Sequence, residues 1–124
     1  MKYTLTIGGR EIPLRYTMLE LADMEEAIGT MDNFRDLILK GKQRLRNMAA
    51  AIRIMGNSGL SHAGKTADLT DEWLLNHMDP GNLKSYQITV LGVFTNGFEM
   101  ETNNEGGERD LVLEEIERKK DPGN

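Results

Sequence analysis

Residues 59–66 read GLSHAGKT and fit the phosphate-binding pattern of a glycine, four residues of any type, glycine, lysine, and serine or threonine. In such a loop the backbone amides and a helix dipole converge on the phosphates of a nucleotide. This requires a buried strand that leads into the first glycine and a helix that begins at the lysine. Here helical spacing precedes Gly59, and the next helix is delayed to about residue 71. We therefore interpret 59–66 as a surface loop with glycine hinges, and nucleotide binding remains a remote alternative.

The other residues that could do chemistry form no recognisable catalytic or metal-binding pattern. His62 and His77 lie fifteen residues apart, and neither has a second ligand at helical i, i+4 spacing. Asp71 and Glu72 are adjacent at a predicted helix start, where acids complement the dipole. The absence of cysteine excludes disulfides, thiolate catalysis and cysteine-ligated zinc. The sequence therefore predicts no catalytic residue, no cofactor and no metal.

Charge gives no general reason to expect nucleic acid or membrane binding. Acidic and basic residues balance over 1–98, and the net charge of −5 comes from residues 99–124. The basic run Lys40, Lys42, Arg44 and Arg46 could touch phosphates, but Leu45 within it begins a buried stripe. A solvated basic face is the favoured interpretation. No apolar run is long enough to cross a bilayer, so we expect a cytosolic protein.

A hairpin is the strongest local prediction. YTLTI and REIPLRYT alternate apolar and polar residues on either side of Gly8 and Gly9, which suits a two-residue turn within residues 2–17. In that register Leu5 lies opposite Ile12 and Tyr3 opposite Leu14. Because an isolated hairpin is marginally stable, helices must cover its apolar face.

Five helices are predicted from apolar spacing and from residues that begin or end helices. Thr17 to Glu20 reads T-x-x-E, a capping box, and Asp79-Pro80 provides an N-cap and a first-turn proline. Glycines end the first three helices, which leaves 57–69 as a loop. The predicted helices span about 18–28, 32–40, 43–55, 71–78 and 80–97.

The stretch 86–94 is rich enough in β-branched residues to suit a strand, but the preceding cap and the spacing of Tyr86, Val90 and Phe94 favour a helix. Eight methionines could form an adaptable binding surface, although filling a small core is the favoured role.

The organisation is one globular domain over 1–98, followed by a polar linker and a short amphipathic tail over 99–124. Val112, Leu113 and Ile116 form an apolar stripe that could dock onto a partner helix or groove, or belong to a functionless terminus. The predicted fold class is α+β, mainly α. An N-terminal β-hairpin packs on a small bundle of four to five helices, with a flexible acidic C-terminal tail.

Four segments together carry a family resemblance: YTLTIGGREIPLRYTM, the acidic helix LELADMEEAIG, the compact amphipathic helices and the ending DLVLEEIERKKDPGN. In this layout the chain resembles the tail assembly chaperones of long-tailed bacteriophages and prophages, particularly those of Gram-positive bacteria. The resemblance spans most of the chain and involves no catalytic residues.

The resemblance implies a non-enzymatic protein of the bacterial cytoplasm that is absent from the mature virion. Its partners would be the tape measure protein, which it coats, and tail tube subunits, which it helps to recruit; a homo-oligomer is possible. Members of the family are often made in two lengths by a programmed frameshift, for which codons of Arg118, Lys119 and Lys120 could provide an adenine run. The alternative is a small structural adaptor of the virion, such as a head-tail connector component or tail component.

Overall fold

The computed structural model describes residues 3–103, and it describes side chains for 3–96. Two antiparallel strands precede five α-helices, so the predicted α+β, mainly α class is confirmed. Single 3₁₀ turns at Met31–Asn33 and Pro80–Asn82 lead into the second and fifth helices. The elements are β1 (Tyr3–Ile7), β2 (Arg10–Leu14), α1 (Met18–Ala27), α2 (Phe34–Leu39), α3 (Arg44–His62), α4 (Asp71–His77) and α5 (Leu83–Asn103).

The hairpin has the predicted register, with Leu5 opposite Ile12 and Tyr3 opposite Leu14. Gly8 and Gly9 have φ values of 59° and 77°, the left-handed pair that a type I′ turn requires. The alternating side chains place the apolar residues of both strands on one buried face. Sequence alternation and turn chemistry therefore suffice to determine this element.

The prediction that the third helix ends near residue 55 is wrong, because α3 continues through Gly56 and Gly59 to His62. The two glycines do not end the helix; they create a notch against which β2 lies. A Cβ atom on Gly59 would come within 1.9 Å of the Pro13 carbonyl oxygen. The Arg15 amide, just after β2, donates to the Met55 carbonyl at 3.0 Å. Glycine is needed here for close approach of two backbones.

The remaining helices begin close to their predicted caps. Thr17 and Glu20 form the capping box of α1, and the Thr70 hydroxyl accepts from the Trp73 amide at the start of α4. The carboxylate of Asp79 accepts from the Gly81 amide in the 3₁₀ turn before α5. The stretch 86–94 is helical, and α5 continues beyond the predicted end near residue 97.

The core lies between the apolar face of the hairpin and the helices, with α3 in contact with β2 and with all four other helices. Met24, Met31, Met48 and Met55 are buried in it, in agreement with the core-filling role. Other buried apolar side chains include Leu5, Ile7, Ile12, Leu14, Phe34, Ile38, Ile52, Leu60, Leu69, Leu74, Tyr86, Val90 and Val93.

Candidate functional site

The GLSHAGKT stretch is the C-terminal end of α3 and the turn that follows it. Gly64, at φ 76°, adopts the left-handed conformation that ends many helices. Its amide donates to the Ser61 carbonyl at 3.0 Å, and the Lys65 amide donates to the Leu60 carbonyl at 2.8 Å. These two bonds form a Schellman motif. The expected surface loop is therefore partly wrong, because Gly59 and Leu60 are buried in the helix.

This geometry is opposite to the one that binds phosphate. A helix N-terminus offers free amides and a positive dipole end, whereas the C-terminus presents carbonyls and a negative end. The amides of Gly64 and Lys65 are already bonded to carbonyls of α3. The Thr66 carbonyl accepts a hydrogen bond from the Arg10 guanidinium at 2.8 Å, so Thr66, which follows Lys65, is bonded to the hairpin. The stretch caps a helix and is not arranged to cradle an anion.

We therefore expect no saturable binding of ATP or GTP with magnesium, because the amides of Gly64 and Lys65 are bonded to carbonyls at a helix C-terminus. Equilibrium dialysis with labelled nucleotide should give the same non-saturating retention for the wild-type protein and for Lys65→Ala. Saturable binding that Lys65→Ala abolishes would contradict this assignment.

A polar cleft with a volume of about 520 Å³ lies between α1 and α3. Both charge signs occur in it, together with amide and hydroxyl groups. Arg53 is fixed at this cleft by an ion pair of 2.7 Å with Asp71 of α4. The cleft is lined by Arg15, Leu19, Glu20, Asp23, Arg53, Ile54, Asn57, Ser58, Ser61 and His62.

Glu20 is the buried carboxylate of this cleft, with 2% of its surface exposed. It accepts hydrogen bonds from the backbone amide and hydroxyl of Thr17 and from the Ser58 hydroxyl of α3. Arg15 approaches it to 4.0 Å. Burial raises the pKa of Glu20, but the hydrogen bonds from Ser58 and Thr17 outweigh burial and hold that pKa below its ordinary value. The ionised Glu20 carboxylate therefore links α1 to α3 by hydrogen bonds.

The contacts in the polar cleft are structural and do not resemble a nucleophile relay. Ser58 donates its hydroxyl proton to Glu20, and His62 lies one turn further along α3. Among residues 3–96 no hydrogen bond connects His62 to Ser58 or to Ser61. Activation of a serine requires a base within hydrogen-bonding distance of its hydroxyl. The sequence identified Glu20 as a cap, but nothing in the sequence indicated its bond to a serine 38 residues away.

A second concavity, which we call the apolar groove, has a volume of about 140 Å³ between α3, α4 and the start of α5. Met48 and Tyr86 are buried in its floor, whereas Leu45 on its rim is 39% exposed. The Tyr86 hydroxyl accepts from the Asp79 amide at 3.0 Å, which holds the floor in place. The groove is lined by Leu45, Met48, Leu75, Met78, Asp79, Pro80, Leu83 and Tyr86.

The sequence did not single out this groove, because Leu45 was interpreted as the first residue of a buried stripe. It lies within the basic run, where Lys40 pairs with Asp36 at 3.6 Å and Arg44 donates to the Gly41 carbonyl at 3.1 Å. The basic residues are exposed or half-buried around an apolar rim. The run therefore includes part of an apolar surface as well as a solvated face.

The other residues considered for chemistry lie apart. His62 lines the polar cleft, while His77 stacks on Trp73 at 4.3 Å between ring centroids and lies against Gly8. Within the described part of the chain no group of three or more histidine, aspartate or glutamate side chains could hold a metal ion. The predicted docking stripe of Val112, Leu113 and Ile116 lies outside the described residues.

Compared with protein-family models, with curated proteins and with solved structures, the chain matches none of them. No helix in residues 3–103 combines the length and the apolar character needed to span a bilayer. The surfaces of the molecule therefore provide the grounds for a functional proposal.

Proposed function

We propose that this protein is a non-catalytic tail assembly chaperone of a long-tailed bacteriophage or prophage, which binds the tape measure protein and helps to recruit tail tube subunits. The observation that carries the proposal is the apolar groove. A chaperone of this kind must shield the apolar stripe of a long helical protein, and an open groove lined by leucine and methionine provides a complementary surface. The sequence resemblance supplies the identity of the partner.

The groove combines a packed floor with adaptable sides, which suits an apolar ligand. Its floor is rigid because Met48 and Tyr86 are packed in the core. Its sides carry Leu75 and Met78, which are half-buried and keep surface available for contact. Unbranched methionine side chains adapt to differently shaped apolar residues, which suits a ligand with many similar but non-identical segments. The groove could therefore accept an apolar side chain from different segments of a long amphipathic helix.

Substitution of Leu45 by glutamate tests the proposal. The side chain is partly exposed, so the fold should tolerate the change, but a charge at the rim would prevent burial of an apolar partner. Burying a leucine contributes about 2 kcal/mol, so we expect at least about tenfold weaker binding of a tape measure protein and less soluble tape measure protein on co-expression.

Met18→Glu is the matched control, because Met18 is 68% exposed on α1 and does not line the groove. It introduces the same charge and should bind the tape measure protein as the wild type does. Equal binding of the tape measure protein by the Leu45→Glu and Met18→Glu proteins would show that the apolar groove is not the binding site. Detection of the protein in purified virions, together with no effect on tape measure solubility, would instead favour a structural adaptor.

A further inference from the structure

Strand β1 has an open hydrogen-bonding edge. Because Ile7 and Arg10 flank the two-residue turn, the hydrogen-bonded pairs are Ile7 with Arg10, Leu5 with Ile12 and Tyr3 with Leu14. Thr4 and Thr6 occupy the alternate positions, where backbone N–H and C=O groups point away from β2. Within residues 3–103, no group outside the hairpin is hydrogen-bonded to the backbone of either threonine. Both threonine side chains are exposed.

The opposite edge of the sheet is protected. Pro13 has no N–H to offer, its carbonyl faces Gly59 of α3, and the Arg15 amide donates to Met55. By contrast, β1 has the sequence YTLTI, with no charge, proline or glycine. Natural sheets often protect exposed edges with charged residues, with proline or with a bulge. Within residues 3–103 the edge of β1 thus lacks these forms of protection.

We propose that two copies of this protein pair through β1, antiparallel about a two-fold axis at Leu5, to form a four-stranded sheet. In this register Thr4 lies opposite the partner's Thr6, and the same pair recurs on the other side of the axis. Each pair exchanges two N–H···O=C bonds through the groups that point outward. The edge is self-complementary because the two open positions are symmetric about Leu5, which is why a second copy fits it.

An exposed apolar residue lies on α5, the helix that contacts β1. Ile88 of α5 is 64% exposed, and it is one helical turn before Gly92. The Gly92 position faces the ring of Tyr3, with a distance of 3.6 Å from a Cβ built at residue 92 to the ring. Residues four apart share a helix face, so Ile88 and Gly92 lie on the same face of α5.

Cysteine cross-linking tests the register directly, since the chain contains no cysteine of its own. Opposed residues in a hydrogen-bonded pair have Cα atoms about 5.5 Å apart, within the range that a disulfide spans. Oxidation of a mixture of the Thr4→Cys and Thr6→Cys proteins should give a disulfide-linked heterodimer, and neither protein alone should give an equivalent yield. Equal cross-linking by either single variant, or none in the mixture, would overturn the proposal.

Thr6→Pro tests the need for the open edge. Proline removes the outward N–H but no bond of the hairpin, as Pro13 already shows at the equivalent position opposite Thr4. Sedimentation velocity over a concentration series should show dimers of the wild type and at least about tenfold weaker association for Thr6→Pro, because inter-chain bonds are lost.

Glu11→Pro is the matched control, because Glu11 lies directly opposite Thr6 in the same pair and its outward groups face the other edge. It should place a similar strain on the hairpin and still form dimers. Circular dichroism confirms that both proline variants are folded. A wild type that stays monomeric at every concentration, or a Thr6→Pro protein that associates equally well, would refute pairing through β1.

Discussion

Gly59→Ala is expected to lower the free energy of unfolding by about 3 kcal/mol or more, a large part of the total stability of a domain of this size. The added Cβ would lie 1.9 Å from the oxygen and 2.7 Å from the carbon of the Pro13 carbonyl. Both are backbone atoms, so no side-chain rotation relieves the overlap. The hairpin must move away from α3, which strains the hydrogen bond of 3.0 Å between the Arg15 amide and the Met55 carbonyl.

Gly92→Ala is the matched control, because Gly92 is also inside a helix. A Cβ there would meet the Tyr3 ring at 3.6 Å or more, an ordinary contact distance. Alanine favours helix over glycine by up to about 1 kcal/mol, so this variant should be slightly more stable than the wild type. Urea unfolding of the three proteins measures both effects. A Gly59→Ala protein within about 0.5 kcal/mol of the wild type, an ordinary surface effect, would show that β2 does not lie on α3 as described.

Glu20→Ala is expected to cost about 3 kcal/mol, because hydrogen bonds to a buried charged group contribute about 1.5–3 kcal/mol and their loss leaves donors unsatisfied. The donors are the Thr17 amide and the hydroxyls of Thr17 and Ser58. The change therefore uncaps α1 and separates it from α3 at the same time. Thermal unfolding monitored by circular dichroism should show a clear fall in Tm.

Glu20→Gln isolates the charge. The folded-state pKa of Glu20 lies below its ordinary value of 4.5, so its ionisation stabilises the fold above about pH 4.5. That stabilisation is lost as the pH falls through the lowered pKa. The free energy of unfolding of the wild type should fall over this acid range. The Glu20→Gln protein should be less stable than the wild type at neutral pH, and its stability should depend less on pH.

Glu25→Gln is the control for the acid range. Glu25 is exposed and accepts one hydrogen bond from the Met31 amide at 3.2 Å, which a glutamine oxygen can also accept. The stability of the Glu25→Gln protein should therefore depend on pH in nearly the same way as that of the wild type. If the stability of Glu20→Gln depended on pH in that same way, Glu20 would not be an ionised link between the two helices.

The sequence was sufficient where structure is set by neighbours in the chain. The Gly8-Gly9 turn and its alternating flanks determined the hairpin register, and the threonine caps located the starts of two helices. The preference for a helix over 86–94 was correct because an N-cap and three apolar residues at helical spacing outweighed β-branching. These features depend on contacts within a few residues.

The sequence was insufficient where the role of a residue depends on packing against a distant segment of the chain. Gly56 was interpreted as a helix stop, yet it is a packing residue whose Cβ would meet Ile12 and Leu69 within 3 Å. That role depends on a strand more than 40 residues earlier in the chain. The burial of Glu20 and the apolar groove likewise depend on how helices pack, which apolar spacing within one helix does not specify.

The hydrogen bond of 3.1 Å from Asn96 to the Tyr3 hydroxyl has a consequence for the order of folding during synthesis. Strand β1 leaves the ribosome before α5, which contacts it and begins about 80 residues later. At a synthesis rate of about 5–20 residues per second, several seconds pass before α5 can pack against the hairpin. A nascent chain stalled before α5 would leave the β1 part of the hairpin's apolar face uncovered, although α3 can already contact β2, so translation speed through α5 should influence the yield of folded protein.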